Sequence, residues 1–519
     1  LETSERRLGA TIPLFSLRTA DSWGIGEIAD LPACAKWLKT GGFRLLQILP
    51  PHELARGENS PYGARTAFGL DPIYIALRDV AEIDAAEIDR VLDDRNKADL
   101  QRVRASTLVD YDAVRDLKMK VLQRACEIFR ERELSKNTER AKRFQDFVSA
   151  TALWEKDLAL YAAIRETHSA AGWRDWPEKQ RDRDAATLAQ LTSEQAPQIF
   201  FHSYLQWLAE EQWAKARSEV SALGVELMGD LPFVVGTESA DVWQHPEEFD
   251  VGASLGAPPD AFTPTGQDWG LPPYRWSALQ KNNFEWLRAR VRRAASLYDK
   301  FRLDHLIGLF RMYVVHNGDA QHGKFEPEAE ADQIANGKRN LGVMVDEAKK
   351  AGVQLIAEDL GVVPAFAHAA MKELHVPGYR VIPWERDFVK HSYRKPEEFP
   401  AESVASWSTH DTAPIGAMWK ALAQWEREGL SDLIGVARNA NEDEVWRAQM
   451  RALARSGSVL ALVLAQEIVG DEARINLPGT VGPHNWAYRL PATFDALAND
   501  PRVTSRMKIL AELAKEGGR

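Results

Sequence analysis

The chain has 519 residues, 45% hydrophobic and 27% charged, with a net charge of −11. That balance suits a globular protein with a large core. The acidic excess argues against a partner held through phosphates, so no nucleic acid is expected. No apolar run reaches the about 18 residues of a membrane span, so no membrane partner is expected either.

Cys34 and Cys126 stand far apart with no ligand spacing, and they read as two free thiols of a cytoplasmic protein. The opening LETSERRLGA lacks the pattern of a signal peptide. It also begins without Met, which leaves room for a removed leader.

In chain order, eight short apolar runs read as buried strands: LGATIPLFSL (8–17), LLQILP (45–50), VELMGDLPFVV (225–235), KFRLDHLIGLF (300–310), VQLIAEDLGVV (353–363), YRVIPW (379–384), VASWSTHD (404–411) and SVLALVLAQEIVG (458–470). Helical periodicity lies between most of them. In residues 201–223, Phe201, Tyr204, Leu205, Leu208, Val220 and Leu223 share a face. Strands alternating with helices imply a parallel sheet, and eight of them an α/β fold, a (β/α)8 TIM barrel. No separate C-terminal β domain is expected.

The rhythm breaks after the second run. Residues 1–79 read as the first part of the barrel. Residues 80–200 read as a mainly helical insertion, with helices over 114–135 and 141–166. Residues 201–519 read as the remainder. Within that last part, 236–283 is rich in Gly, Pro and aromatics and reads as a loop over the site. The charged stretch RDWPEKQRDRD (174–184) reads as a solvated loop.

Four of the strand runs carry an acid at or near their ends: Asp230, Asp304, Glu358 and Asp411. Singly, such an acid is often a cap or turn residue. In a parallel barrel all four converge on one mouth, where catalytic groups sit. Arg302 and Asp304 alternate onto one side of their strand, and a guanidinium favours an ionised carboxylate. Glu358, near other acids, is expected to have a raised pKa that suits a general acid. Its neighbour Asp359 faces the other way. One nucleophilic and one protonated carboxyl make the pair of a retaining glycoside-processing enzyme. Other signals are weak. WGIGEI (23–28) lacks the third Gly of a dinucleotide loop, there is no P-loop, and the histidines show no HExxH spacing. No cofactor and no metal are expected.

These residues carry a resemblance. MGDLPFVV, FRLDHLIGLFRMY, LIAEDLGVVP and STHDT resemble the conserved regions of the 4-α-glucanotransferase family, called amylomaltase or disproportionating enzyme, within the α-amylase clan. SWGIGEIADL, QILPP, SPYGARTAFGLDPIYI, PPDAFTPTGQDWGLPPYRW and RINLPGTVGPHNW agree, in order from about residue 8 to 490. The chain departs from the family pattern at Leu46, Ala261 and Thr412, and at Ala487-Tyr488-Arg489.

The resemblance implies α-1,4-glucan and maltooligosaccharide substrates. It implies Asp304 as nucleophile, Glu358 as acid/base and Asp411 as the group that bonds sugar hydroxyls and helps distort the ring. Arg302 would orient Asp304, and His410 would bind a hydroxyl. Tyr62 would stack on the reacting sugar, and Trp269 with its loop would cover the acceptor side. Asp230 and Asp260 complete the substrate-binding set. Two alternatives remain: an α-glucan hydrolase using the same carboxylates, and a glucan-binding protein on an inactive barrel. The second predicts loss of a catalytic acid, and all three are present.

Overall fold

The computed structural model describes residues 5–169, 171–259, 263–387 and 392–519. All eight expected runs form strands of one parallel sheet: β1 (Arg7–Thr11), β2 (Leu45–Gln47), β3 (Glu226–Leu231), β4 (Lys300–Leu303), β5 (Gln354–Ala357), β6 (Gly378–Val381), β7 (Ser403–Ser406) and β8 (Leu460–Leu464). The order is β6-β7-β8-β1-β2-β3-β4-β5, every pair parallel. The seam between β5 and β6 is drawn together where Ala357 N donates to Pro377 O at 2.8 Å. The result is a nearly closed α/β barrel of the TIM type.

The barrel interior is packed by Leu45, Met228, Ile356, Tyr379, Val404, Leu460 and Leu462. It is a filled core rather than a pore, as eight strands require. A larger cluster between barrel and helices holds most of the remaining apolar side chains. Gly229 in β3 is required by this packing, because a Cβ there would stand 2.2 Å from the Tyr298 ring.

The strands are shorter than the apolar runs that announced them. After β4, Leu306–Leu309 turn as a short 3-10 helix, and Met312–Val315 form a new strand. That strand pairs antiparallel with Ser254–Ala257, which pairs in turn with Gln267–Asp268. Part of the stretch expected as irregular loop (236–283) is therefore sheet. Its pairing partner lies far along the chain, so local sequence could not reveal it.

Between β2 and β3, the described part of 80–200 is helical, including Tyr111–Arg132, Glu139–Ala150 and Glu155–Thr167. Helix Ala196–Ala222 runs through residue 200, where a boundary was expected. Its buried surface is wider than the predicted stripe. Gln206 and Gln212 are buried, while Phe201 and Leu223 are only half-buried. The two glutamines replace a strand partner for the segment after β2. Gln206 exchanges two hydrogen bonds with the Leu70 backbone at 3.0 Å each. Gln212 does the same with Ala76 at 2.8 and 2.9 Å. Both satisfy backbone groups that water cannot reach. Among the described residues no helix is long and apolar enough to cross a membrane.

Candidate active site

The register of β3, β4 and β5 sets the site. Asp230 on β3 stands opposite Arg302 on β4, and Leu303 stands opposite Ala357 on β5. Asp304 and Glu358 each follow the last paired residue, so both emerge at the same level of the barrel mouth. Backbone bonds hold them there: Asp304 N donates to Leu231 O at 3.0 Å, and Glu358 N to Leu303 O at 2.9 Å.

Arg302 is buried and joins three acids. Nη1 donates to both oxygens of Asp230 at 2.8 and 2.7 Å. Nη2 lies 2.8 Å from Asp304 Oδ1 and 3.9 Å from Glu358 Oε2. The Arg302–Asp304 contact thus has a second component that the sequence did not suggest, the pair with Asp230. Asp230 is wholly buried and does not line the cleft. Its contacts are with Arg302 and Tyr62, which it supports from behind.

Glu358 Oε2 accepts from His305 N at 3.0 Å, and Oε1 accepts from Leu360 N at 2.8 Å. Its pKa is raised to about 7. Burial is the first cause, with Asp304 adding to it and Arg302 and the two backbone donors opposing. The direction is the expected one, but burial outweighs the like charge that was expected to cause it. Asp359 turns away, as alternation requires, and accepts from Tyr379 N at 2.6 Å and Arg380 Nη1 at 3.1 Å. Gly378 leaves the space, since a Cβ there would meet the Asp359 carboxylate at 2.4 Å.

Beside Arg302, Tyr62 OH donates to Asp230 Oδ2 at 2.8 Å and lies 2.9 Å from His410 Nε2. Burial, then Asp230, keeps the phenol protonated well above its usual range. His410 Nε2 lies 3.3 Å from Asp411 Oδ2. Burial opposes charge on both partners. Their attraction prevails, raising the His410 pKa and, with Asn476, holding Asp411 well below the usual carboxylate range. Thr412, where the family pattern differs, closes the turn before it: Thr409 N donates to Thr412 Oγ1 at 2.9 Å.

Trp269 packs edge-on against His305, ring centroids 4.9 Å apart. Asp260 and Ala261 lie outside the described residues.

Two groups were missed. Asn476 Nδ2 donates to Asp411 Oδ1 at 2.7 Å, and Arg474 Nη2 donates to Asp411 O at 2.7 Å. Both sit in the quoted motif RINLPGTVGPHNW, yet nothing in that string says that it returns to Asp411. Trp486 from the same motif lies 5.5 Å from the Tyr62 ring.

The cleft lined by Tyr62, Trp269, Arg302, Asp304, Glu358, His410 and Asp411 has a volume of about 1220 Å³. That exceeds the about 300–1,000 Å³ of a typical small-molecule pocket. Among the described residues, one group, His245, Glu247 and Glu248, brings potential metal ligands within 4.8 Å of one another. None of the three lines the cleft.

Three carboxyl groups and hydrogen-bonding side chains at the mouth of a parallel barrel fit an enzyme of the glycoside-processing class. Residues 12–494 match the profile of glycoside hydrolase family 77, 4-alpha-glucanotransferase. The chain is 28% identical to the 4-alpha-glucanotransferase of Chlamydia muridarum over 98% of its own length and 96% of the relative's. It is 30% identical to that of Aquifex aeolicus, over 90% and 92%. The amylomaltase of Streptococcus agalactiae, solved with acarbose, shares the fold with a TM-score of 0.83 at 23% identity, covering 99% of this chain and 100% of that one. The chain belongs to the 4-alpha-glucanotransferase family, enzymes that act on α-glucans.

Proposed function

We propose that this chain moves α-1,4-glucan segments from a donor glucan to an acceptor glucan or glucose by retaining double displacement, in maltooligosaccharide, starch or glycogen metabolism. One observation carries the reading: Arg302 Nη2 reaches both Asp304 and Glu358, at 2.8 and 3.9 Å. Oxygens so placed about one nitrogen lie within about 7 Å of each other. That is compatible with the about 5–5.5 Å of retaining pairs and short of most of the about 6.5–9.5 Å of inverting ones.

In the first step an Asp304 oxygen attacks the anomeric carbon. The bond to the leaving sugar's O4 breaks, and Glu358 gives O4 its proton. A raised pKa keeps that proton in place near neutral pH. In the second step the acceptor's 4-hydroxyl attacks the anomeric carbon, its proton passes to Glu358, and the bond to Asp304 breaks. Two inversions give retention. Asp411, clamped by His410 and Asn476, is the ionised acceptor for hydroxyls of the reacting sugar. Tyr62 supplies an aromatic face beside it.

The strands and loop around Trp269 would cover the acceptor side and exclude water. The helices of 80–200 act as an insertion on the barrel formed by 1–79 and 201–519. Buried Cys34 and Cys126, both free, support a cytoplasmic setting.

Hydrolysis would use the same intermediate, with water as acceptor. Incubation with maltotriose separates the two: glucose plus a ladder of longer glucans is expected, and shorter sugars alone would overturn transfer. Acarbose, bound by the Streptococcus relative, is expected to inhibit.

A further inference from the structure

Most of the stretch 174–184 is exposed, as expected, but its start is anchored. Trp173, just before it, and Trp176 within it are buried. Trp173 Nε1 donates to Thr237 O at 2.9 Å, and Trp173 N donates to Glu238 Oε2 at 2.9 Å. Gly172 permits that approach, since a Cβ there would stand 2.4 Å from Glu238 Oε2. The segment is therefore docked on the residues that follow β3.

Docking brings Arg174 into the cleft wall. Among the described residues it is the sole cleft-lining residue between Arg65 and Pro232. It is thus the one side chain that the helical segment contributes to the cleft. Its Nε donates to Glu238 Oε1 at 2.6 Å, and the side chain is 48% exposed. Nη1 and Nη2 make no hydrogen bond among the described residues, so the outer edge of the fork presents free donors.

Contacts link this wall to the acid/base. Thr237 Oγ1 donates to Gly270 O at 2.9 Å, next to Trp269. Trp269 packs on His305, whose N–H holds Glu358. The acid/base faces the leaving and entering sugars, so on the transfer reading a wall linked to it through Trp269 belongs to the acceptor side.

We propose that Arg174 forms an outer acceptor subsite, in which its Nη donors bind hydroxyls of a sugar remote from the reacting bond. The helical insertion thereby sets acceptor length. Glu238 fixes the fork in advance, which lowers the cost of ordering a long side chain on binding. The inference rests on the glucan-transfer reading above.

The test uses one donor and compares glucose with maltotetraose as acceptors. In R174A the ratio of kcat/KM for maltotetraose over glucose should fall about tenfold, the scale of one charge-assisted hydrogen bond. R174K, which keeps the charge and loses the fork, should fall between. Arg174 and Glu238 form a partly exposed ion pair of small worth, so R174A should melt close to the wild type. An unchanged ratio, or an equal loss with both acceptors, would overturn the proposal. If the wild type only shortens maltotriose, both this and the transfer reading fail. Transfer with an unchanged ratio in R174A sinks the subsite alone.

Discussion

Arg302 Nη1 donates to both oxygens of Asp230, at 2.8 and 2.7 Å, across the paired strands β3 and β4. This buried pair holds the guanidinium so that its other nitrogen meets Asp304. Arg302→Met should therefore do two things. It leaves the Asp230 carboxylate buried without its cation, which costs about 3–5 kcal/mol by denaturant titration. It also frees Asp304. Arg302→Lys should keep more of the stability but lose about 10²-fold in kcat/KM, because one ammonium cannot reach both acids in a fixed fork. Wild-type kinetics in the lysine variant would remove the orienting role.

Activity should fall as pH rises through about 7, where Glu358 loses the proton that the leaving group needs. In Glu358→Gln this limb of the profile should vanish along with most of the turnover. A pH–rate profile with no descending limb between about pH 6 and 8 would argue against Glu358 as the acid.

The same shift makes a stability prediction. Glu358 titrates at about 7 when folded, against 4.5 ordinarily. The folded state thus binds the extra proton between those values. Stability is full below the unfolded pKa and is lost as pH rises through the folded one. Glu358→Gln removes this dependence. It should leave stability near pH 4 little changed and raise it at pH 8 by roughly 1–3 kcal/mol, read as a higher melting temperature. An equal shift at both pH values would contradict the linkage.

Asp304→Ala should lower turnover by on the order of 10⁴-fold or more while leaving glucan binding measurable. Near-normal transfer by this variant would exclude Asp304 as nucleophile.

Asn476→Ala removes the 2.7 Å bond to Asp411 Oδ1. A hydrogen bond to a charged group is worth about 1.5–3 kcal/mol, so kcat/KM should drop about 10–100-fold. Steady-state kinetics on maltotriose check this, with the melting temperature as the control for folding.

Much of the barrel was legible because each parallel strand is buried on both faces and reads as an apolar run. The acids Asp304, Glu358 and Asp411 were legible because ionisable groups at or just past such runs need a reason. Asn476 and Arg474 were not, because an Asn and an Arg in a Pro- and Gly-containing loop look the same whether or not they meet a carboxylate. The depth of Asp230 was hidden for a related reason. Its position on a strand was readable, but its depth depends on what Arg302 and Tyr62 bring over it.

The helix Ala196–Ala222 makes the same point in the fold. Its periodicity was visible, yet Gln206 and Gln212 are buried because the backbone at Leu70 and Ala76 lies against them. Nor could the string RDWPEKQRDRD disclose that Trp173 and Glu238 would seat it on the cleft.

What the amino-acid order determined alone was local: the strand runs, their polarity and the acids at their ends, all set by side-chain alternation and burial within a few residues. What only the tertiary structure decided was the joining of distant segments. These are the β3–β4 register that pairs Asp230 with Arg302, the return of residues 474–486 to Asp411, and the docking of Arg174. Each depends on groups far apart in the chain satisfying one another's charge or hydrogen bonds once water is excluded, and no local pattern encodes that.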